Sequence, residues 1–260
     1  MRLLKQLLTK NNCYKDGKKI KPTGVMWHST GANNPNLNRY VQPNDGVLGT
    51  TTTSTAHWNQ AKPGGRSVCV HAFIGKDKNG RVATYQTLPW DMRGWHCGGD
   101  GNNTHIGFEI CEDGLVDKKY FNEVYEEACE LTAYLCKKYK LNPKKDGVVI
   151  CHSEGHSRGI ASNHSDVMHW FKKHGKTMDD VRNDVYKLMH SDADLPYAVK
   201  VTINDLNIRK GPGTDYAKIG KYTGKGIFTI VDESDGKGAK KWGKLKSGLG
   251  WISLDYANRV

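Results

Sequence analysis

The spacing of hydrophobic residues differs between the two ends of the chain. Up to about residue 190, short uninterrupted apolar runs alternate with longer stretches in which apolar residues recur every three or four positions. Uninterrupted runs predict buried strands, whereas the longer spacing predicts helices that bury one face. The predicted strands cover residues 25–27, 68–74, 106–111 and 148–151.

Two helices are predicted in the same region. The first runs from about residue 120 to 139 and ends before an Asn-Pro pair, because proline disfavours helical backbone in the residue before it. The second has an apolar stripe over 181–188 and begins near Thr177 and Asp180, which have the spacing of a capping box. Strands and helices mixed in this way predict an α/β domain with a central mixed sheet flanked by helices.

A change of pattern after residue 190 predicts a second domain. Residues 191–196 are polar, lack periodicity and end in proline, which is typical of a linker. Five short alternating runs separated by glycine turns follow, and this density of strands predicts a small all-β barrel over 197–260. The predicted organisation is therefore a domain over 1–190, a linker over 191–196 and a domain over 197–260. The five predicted strands cover residues 199–203, 206–209, 227–231, 242–245 and 250–252.

The charge of the chain restricts its partners. A formal net charge of +12 favours polyanions such as nucleic acid, anionic membranes or the acidic polymers of a bacterial wall. The sequence has no recognised helix-turn-helix, zinc-finger or RNA-binding signature, so we expect no nucleic-acid partner. It also has no apolar stretch of the ~20 residues that span a bilayer, so we expect no membrane partner.

The seven cysteines do not form a disulfide or zinc-ribbon pattern. No pair has Cys-x-x-Cys spacing, and several lie inside apolar runs, where cysteine acts as a small buried hydrophobe. The first eight residues lack the uninterrupted apolar stretch of a signal peptide. We therefore expect synthesis in a reducing cytoplasm without a signal peptide.

Histidines follow two of the predicted strands, as His28 after 25–27 and as His152 after 148–151. Side chains at strand ends can converge on a pocket, and a catalytic zinc takes three protein ligands and leaves a fourth position for water. His28 and His152 could supply two of these ligands, although each could equally be a surface or core histidine. Candidates for the third ligand are Glu154, His156, His164 and Asp166.

Four segments, in this order, resemble the type 2 N-acetylmuramoyl-L-alanine amidases, a family of peptidoglycan hydrolases that includes phage endolysins. The resemblance covers nearly all of residues 20–190, and residues 159–166 are similar to the clostridial phage endolysins in particular. Several motifs in a fixed order are more specific than any one motif. The segments are Trp27-His28-Ser29-Thr30, Trp95-His96-Cys97-Gly98, Ile106-Gly107-Phe108-Glu109-Ile110-Cys111 and Cys151-His152-Ser153-Glu154.

The resemblance implies that zinc is the cofactor and that His28, His152 and Asp166 are its ligands. The family commonly has Lys-x-Cys-Pro or Lys-x-Asp-Pro at the last site, whereas this sequence has His164-x-Asp166-Val167. His164 is therefore the alternative third ligand. With Asp166 as the ligand, His164 takes the lysine's role and donates a hydrogen bond to the developing oxyanion.

The resemblance also implies roles for three further residues. Glu109 matches the acid that takes a proton from the attacking water, although a salt-bridged core glutamate is the alternative. His71 and His96 match positions near the substrate, with histidines bonded to backbone as the alternative. A Cys151 nucleophile is a weaker hypothesis, because neighbours on a strand point to opposite faces.

The last part of the chain is similar to bacterial SH3-like wall-binding domains over about 197–260, through motifs at 206–214, 219–220 and 250–252. It has twelve Lys or Arg against six Asp or Glu, so the expected partners are peptidoglycan and its anionic wall polymers.

The whole sequence is interpreted as a zinc-dependent endolysin that reaches the bacterial wall after release. It is expected to cut peptidoglycan between N-acetylmuramic acid and L-alanine. A non-catalytic peptidoglycan-binding protein of the same fold is the alternative.

Overall fold

The computed structural model describes residues 1–41, 48, 57–190 and 195–260. Within these residues the chain forms two compact units, Met1–Tyr186 and Lys187–Val260. Residues 191–194, which make up most of the expected linker, lie outside the described residues.

The first unit is built on a six-stranded sheet. The strand order is β1-β4-β3-β5-β2-β6. Only the pair β3–β4 is antiparallel, so the predicted central mixed sheet is confirmed. The strands are β1 (Leu3–Lys5), β2 (Gly24–Ser29), β3 (Ala72–Lys76), β4 (Val82–Gln86), β5 (His105–Ile110) and β6 (Val149–Cys151).

Five helices accompany this sheet, and both predicted helices are among them. The longest packs on β2, β3 and β4; it begins two residues earlier than predicted because the Asp117 carboxylate caps its free backbone N–H groups. The last begins with the predicted capping box, in which the backbone N–H groups of Thr177 and Asp180 bond reciprocally to the two side chains. The helices are α1 (Asn12–Asp16), α2 (Lys118–Tyr139), α3 (His152–Ser157), α4 (Met168–Phe171) and α5 (Met178–His190).

The aromatic core under the sheet determines which side chains point the other way. Trp27 on β2 is fully buried and packs against Phe108 of β5 and Phe171 of α4, with ring centroids 5.2 and 6.0 Å apart. Because successive side chains on a strand alternate between faces, the residues that follow, His28 and Glu109, project from the opposite face. They are paired across β2 and β5, so they lie side by side there.

The second unit is all-β, as predicted, and has two more strands than the sequence indicated. It forms an antiparallel seven-stranded sheet in the order β13-β7-β10-β11-β12-β8-β9. The two unpredicted strands, β9 and β13, are mostly exposed and lack an apolar run. The strands are β7 (Tyr197–Val201), β8 (Asn207–Arg209), β9 (Lys218–Tyr222), β10 (Gly226–Gly236), β11 (Ala239–Leu245), β12 (Trp251–Ser253) and β13 (Ala257–Arg259).

Two further sequence expectations concern the whole chain. All seven cysteines are buried, as expected of small hydrophobes, and all are free thiols. Among the helices that the structure describes, none combines the length and the apolar character needed to cross a bilayer.

Candidate metal centre and active site

Three potential metal ligands meet at one end of the first sheet. The Nδ1 atoms of His28 and His152 lie 2.9 Å apart, and Oδ2 of Asp166 lies 3.2 Å and 3.6 Å from them. Both histidines are buried, with 1% and 4% of their surface exposed. One ligand atom from each residue falls within 4.8 Å of the other two, so the chain brings together the three residues that the resemblance named.

Strand pairing accounts for the meeting of the two histidines. β2 and β6 are parallel neighbours, and Trp27 pairs with Cys151. The next residue on each strand is His28 and His152, and His152 is also the first residue of α3.

Arg182 of α5 secures the turn between β6 and α3. Its guanidinium donates to the Val149 carbonyl at 3.0 Å and to the Glu154 carboxylate at 2.6 Å, and Glu154 in turn accepts the Cys151 N–H. These bonds engage Glu154 in the turn itself rather than in the cluster. The ion pair between Arg182 and Glu154 therefore stabilises the turn that positions His152.

The two alternatives for the third ligand occupy different places. Asp166 belongs to the cluster, whereas His164 is exposed and its ring is tilted against that of His152, with the ring centroids 4.7 Å apart. Nδ1 of His164 lies 3.1 Å from the Ser162 hydroxyl. His164 therefore flanks the cluster, where its ring can reach a bound substrate.

Hydrogen bonds at the far side of each ring leave the Nδ1 atoms facing inward. Nε2 of His28 lies 2.9 Å from Nδ1 of His96, and Nε2 of His152 lies 3.2 Å from the Ser162 hydroxyl. The inward atoms are then two imidazole nitrogens and one carboxylate oxygen, a donor set that zinc takes in catalytic sites with one position left open. The residues present fit a zinc ion.

Burial and the neighbouring side chains have opposite effects on the pKa values of the cluster. Burial alone would raise the pKa of Asp166, but hydrogen bonds with His152 and His28 outweigh it and hold that pKa well below its usual range. Burial lowers the pKa of His28, and the neighbouring Asp166 only partly opposes the shift. Both shifts favour an anionic carboxylate and a neutral imidazole, the forms that bind metal.

Glu109 lies beside this cluster. Its Oε2 atom is buried and, among the described residues, has no hydrogen-bond partner. Burial raises the pKa of this carboxyl well above its usual range, and the charges of Asp166 and Glu112 raise it further. A buried carboxyl left without a bond is costly in free energy, which favours a functional role over the salt-bridged core alternative.

The cluster opens into a cavity of about 1080 Å³. Glu109, His96, His164 and the cluster all contribute to its wall. Three arginines also line it, and no sequence pattern singled them out, because they come from separate segments of the chain; they are Arg39, Arg66 and Arg93.

The structure places His71, which was expected near the substrate, inside the core. It is fully buried and does not line the cavity. Its Nε2 donates to the Met92 carbonyl at 2.7 Å, and its Nδ1 accepts the Gly107 N–H at 3.1 Å. With both nitrogens bonded to backbone, His71 has the structural role given as the alternative.

His71 should make the stability of the protein depend on pH. Burial lowers its pKa to about 4, whereas in the unfolded chain it is about 6.5. Between these values the unfolded chain binds more protons, so stability falls as the pH decreases from 6.5 to 4. We expect His71 to account for a loss of about 3 kcal/mol in the metal-free protein.

Urea unfolding between pH 4 and 7, with chelator present, would measure this loss. His71→Gln cannot take up the proton and should show a smaller decrease than wild type. An NMR titration in which the His71 ring of the folded protein protonates near pH 6.5 would contradict the prediction.

The cysteine nucleophile considered from the sequence does not have the geometry it needs. Cys151 is fully buried, and its sulfur lies 3.2 Å from the Ser153 hydroxyl. Both nitrogens of His152 are engaged elsewhere, with His28 and Ser162. Burial also raises the pKa of the Cys151 thiol, which disfavours the thiolate.

Most of the first unit matches a known protein family. A family model described as N-acetylmuramoyl-L-alanine amidase matches residues 18–169. The Staphylococcus aureus hydrolase AmiA, solved with its ligand, is 18% identical with a TM-score of 0.50, over 72% of this chain and 82% of that one.

Two other solved structures resemble the chain at a similar level of identity. PlyL is 17% identical over 71% and 96% of the two chains, with a TM-score of 0.47. A mutant endolysin from Bacillus subtilis is 19% identical over 71% and 99%, with a TM-score of 0.46. A search of curated proteins found no match.

Proposed function

Because this chain belongs to the N-acetylmuramoyl-L-alanine amidase family, we propose that it is a zinc-dependent hydrolase that cuts the amide bond between N-acetylmuramic acid and L-alanine. It is a peptidoglycan amidase, and we propose that it acts as an endolysin. We further propose the identity of the metal, the residues that carry out the reaction and the role of the second unit. The observation that carries it is the cluster of His28, His152 and Asp166 beside Glu109, whose buried Oε2 atom has no hydrogen-bond partner among the described residues.

Each residue of the site has a distinct role in the proposed reaction. A zinc ion held by the cluster would lower the pKa of water to about 7, polarise the amide carbonyl and favour the carboxylate form of Glu109. Glu109 removes a proton from the attacking water and later gives a proton to the leaving alanine nitrogen. The raised pKa of Glu109 suits the first transfer, since it makes the carboxylate a stronger base towards the proton of the water.

His164 acts on the oxygen of the scissile carbonyl. Its ring lies on the cavity wall next to His152, so it can donate a hydrogen bond to the negative charge that develops on that oxygen. The arginines of the same wall suit the free carboxylates of a peptidoglycan stem peptide.

For the second unit we propose an SH3-like wall-binding role. Residues 197–260 have twelve basic and six acidic side chains, and this excess attracts the anionic polymers of a wall. Tyr216 and Tyr256 are 47% and 57% exposed, so their rings are available to contact a ligand. Tethering to the wall raises the local concentration of scissile bonds around the first unit.

Removing residues 197–260 should therefore weaken wall binding but not the chemistry. We expect the truncated protein to sediment poorly with purified cell walls and to cleave soluble muropeptides at nearly the wild-type rate. The binding of the full chain should fall with added salt, because screening reduces the attraction between charges. Equal sedimentation of both proteins would remove the wall-binding role.

The bond that is cut can be identified by mass spectrometry of digested peptidoglycan. Amidase action must yield stem peptides with a free alanine amino group and glycans with a free lactyl carboxylate. Products with new reducing sugar ends would contradict the proposal.

Zinc analysis of the same preparation separates hydrolase from binder. About one zinc per chain, with activity lost to a chelator and restored by zinc, is expected of the hydrolase. A protein that binds walls but holds no zinc and releases no product would support the non-catalytic alternative.

A further inference from the structure

A chain of hydrogen bonds extends from the metal cluster into the backbone of β5. Nε2 of His28 lies 2.9 Å from Nδ1 of His96, and Nε2 of His96 lies 3.1 Å from the carbonyl oxygen of His105. His28 and His96 are 68 residues apart in the sequence. The contact therefore exists only in the folded protein.

The His105 carbonyl at the end of this series of hydrogen bonds determines which ring nitrogens carry a hydrogen. A carbonyl oxygen only accepts, so Nε2 of His96 must carry the hydrogen. A neutral imidazole has one hydrogen, which leaves Nδ1 of His96 as an acceptor. It then receives the Nε2–H of His28, and the lone pair of His28 lies on Nδ1, the atom that faces His152 and Asp166.

We propose that His96 is a positioning residue for the metal ligand His28. It holds the His28 ring in the tautomer and orientation that direct Nδ1 into the cluster. The inference rests on the proposed metal site, and the expectation that His96 lies near the substrate stays a prediction beside it. Supporting hydrogen bonds of this kind commonly set the affinity of a histidine-bound metal.

His152 is supported in a different way, which makes His96 a specific target. Nε2 of His152 bonds to the Ser162 hydroxyl, which also lies 3.1 Å from the Cys97 carbonyl and 3.1 Å from Nδ1 of His164. Changing Ser162 would disturb His164 as well. His96 can be changed without touching His152, Asp166 or His164 directly.

Two glycines leave room for the His96 ring in this position. A Cβ atom on Gly107 would lie 2.4 Å from Cγ and Nδ1 of the ring, and one on Gly94 would lie 2.8 Å from Cδ2. Atoms do not approach this closely without a shift. Gly107 and Gly94 therefore provide the space in which His96 reaches His28.

The experiment compares zinc affinity and the His28 tautomer in three variants. His96→Ala removes the acceptor. His96→Asn places an amide oxygen near the former Nδ1 and should recover most of the effect. His105→Ala is the matched control, since it removes a buried imidazole of the same strand but keeps the carbonyl that His96 uses.

Zinc affinity is measured by competition with a chromogenic chelator. We expect His96→Ala to bind Zn²⁺ about 10- to 100-fold more weakly than wild type, with His96→Asn and His105→Ala close to wild type. Nitrogen-15 NMR of the metal-free protein at pH 8 should show His28 protonated on Nε2 in wild type and a mixture of tautomers in His96→Ala.

Gly107→Ala tests the same idea without changing any histidine. Its methyl group should push the His96 ring away from His28 and reduce zinc affinity in the same direction. This variant keeps the inference testable if His96→Ala does not fold.

Different results would refute the metal site and the positioning role of His96. A wild-type protein that binds no Zn²⁺ would refute the metal site itself. A wild type that binds Zn²⁺, together with a folded His96→Ala variant that binds it equally well and keeps the His28 tautomer, would refute only the role of His96.

Discussion

Replacing Glu109 by glutamine is expected to slow peptidoglycan cleavage by about 10²- to 10⁴-fold, the usual contribution of a general acid–base group. The change keeps the size of the side chain and removes its ability to accept a proton. Because Glu109 is outside the group of potential ligands, the variant should still bind about one zinc per chain. Turnover of a soluble muropeptide and zinc content measure the two effects separately.

The same substitution should not destabilise the protein. The pKa of Glu109 is raised in the folded state, so between the unfolded value of about 4.3 and the folded one the native protein binds more protons. Stability then falls as the pH rises through this window. Glutamine does not titrate, so at neutral pH the metal-free variant should melt at the wild-type temperature or above it.

Glu112 provides a matched control. It is also buried, at 3% exposure, but it bonds to Nε2 of His169 at 2.9 Å and does not line the cavity. Glu112→Gln should keep cleavage and lose stability, the opposite of Glu109→Gln. Cleavage within tenfold of wild type in Glu109→Gln would remove Glu109 from the mechanism.

The second large effect separates the two candidates for the third ligand. Asp166→Asn should bind zinc more weakly than wild type by a factor larger than the ~100-fold caused by loss of a supporting hydrogen bond. The reason is that an uncharged amide oxygen is a weaker metal ligand than a carboxylate. Activity should disappear with the metal. Oδ2 of Asp166 lies 3.2 Å and 3.6 Å from the Nδ1 atoms of the two histidines, so its loss also leaves the two imidazoles without a shared anion.

His164→Asn should keep the metal but lose activity. Its amide can still bond to Ser162 as Nδ1 of His164 does, but it has no atom at the place of Nε2. We expect zinc binding near wild type and a rate lower by about 10²- to 10³-fold, as for loss of one oxyanion donor. Zinc loss in His164→Asn with zinc retained in Asp166→Asn would reverse the assignment.

The sequence predicted the buried part of the fold better than its edges. Strands β2, β5 and β6 and helices α2 and α5 were found because they bury continuous or periodic apolar residues. β1 and β4 were missed, since the first is three residues long and the second mixes polar and apolar positions. The strand predicted at 68–74 is shifted, because Cys69 forms only an isolated bridge with Trp95 and β3 begins at Ala72.

For the site, the sequence identified residues but not their partners. Motif order pointed to His28, His152, Asp166 and Glu109, which the structure brings to one cavity. The bonds of His71 and His96 could not be predicted, because their acceptors come from other strands and loops. Ser162 lies in the segment 159–166 that supported the resemblance, but nothing in the sequence gave it a role, since the contacts of a loop serine appear only in the folded chain.

The contact between His96 and Gly107 has an evolutionary consequence. A methyl group at position 107 and an imidazole at position 96 compete for the same space. Among homologous chains the two positions should therefore change together. Homologues with a small residue at position 96 should tolerate alanine or serine at position 107. Homologues that keep the histidine should keep the glycine.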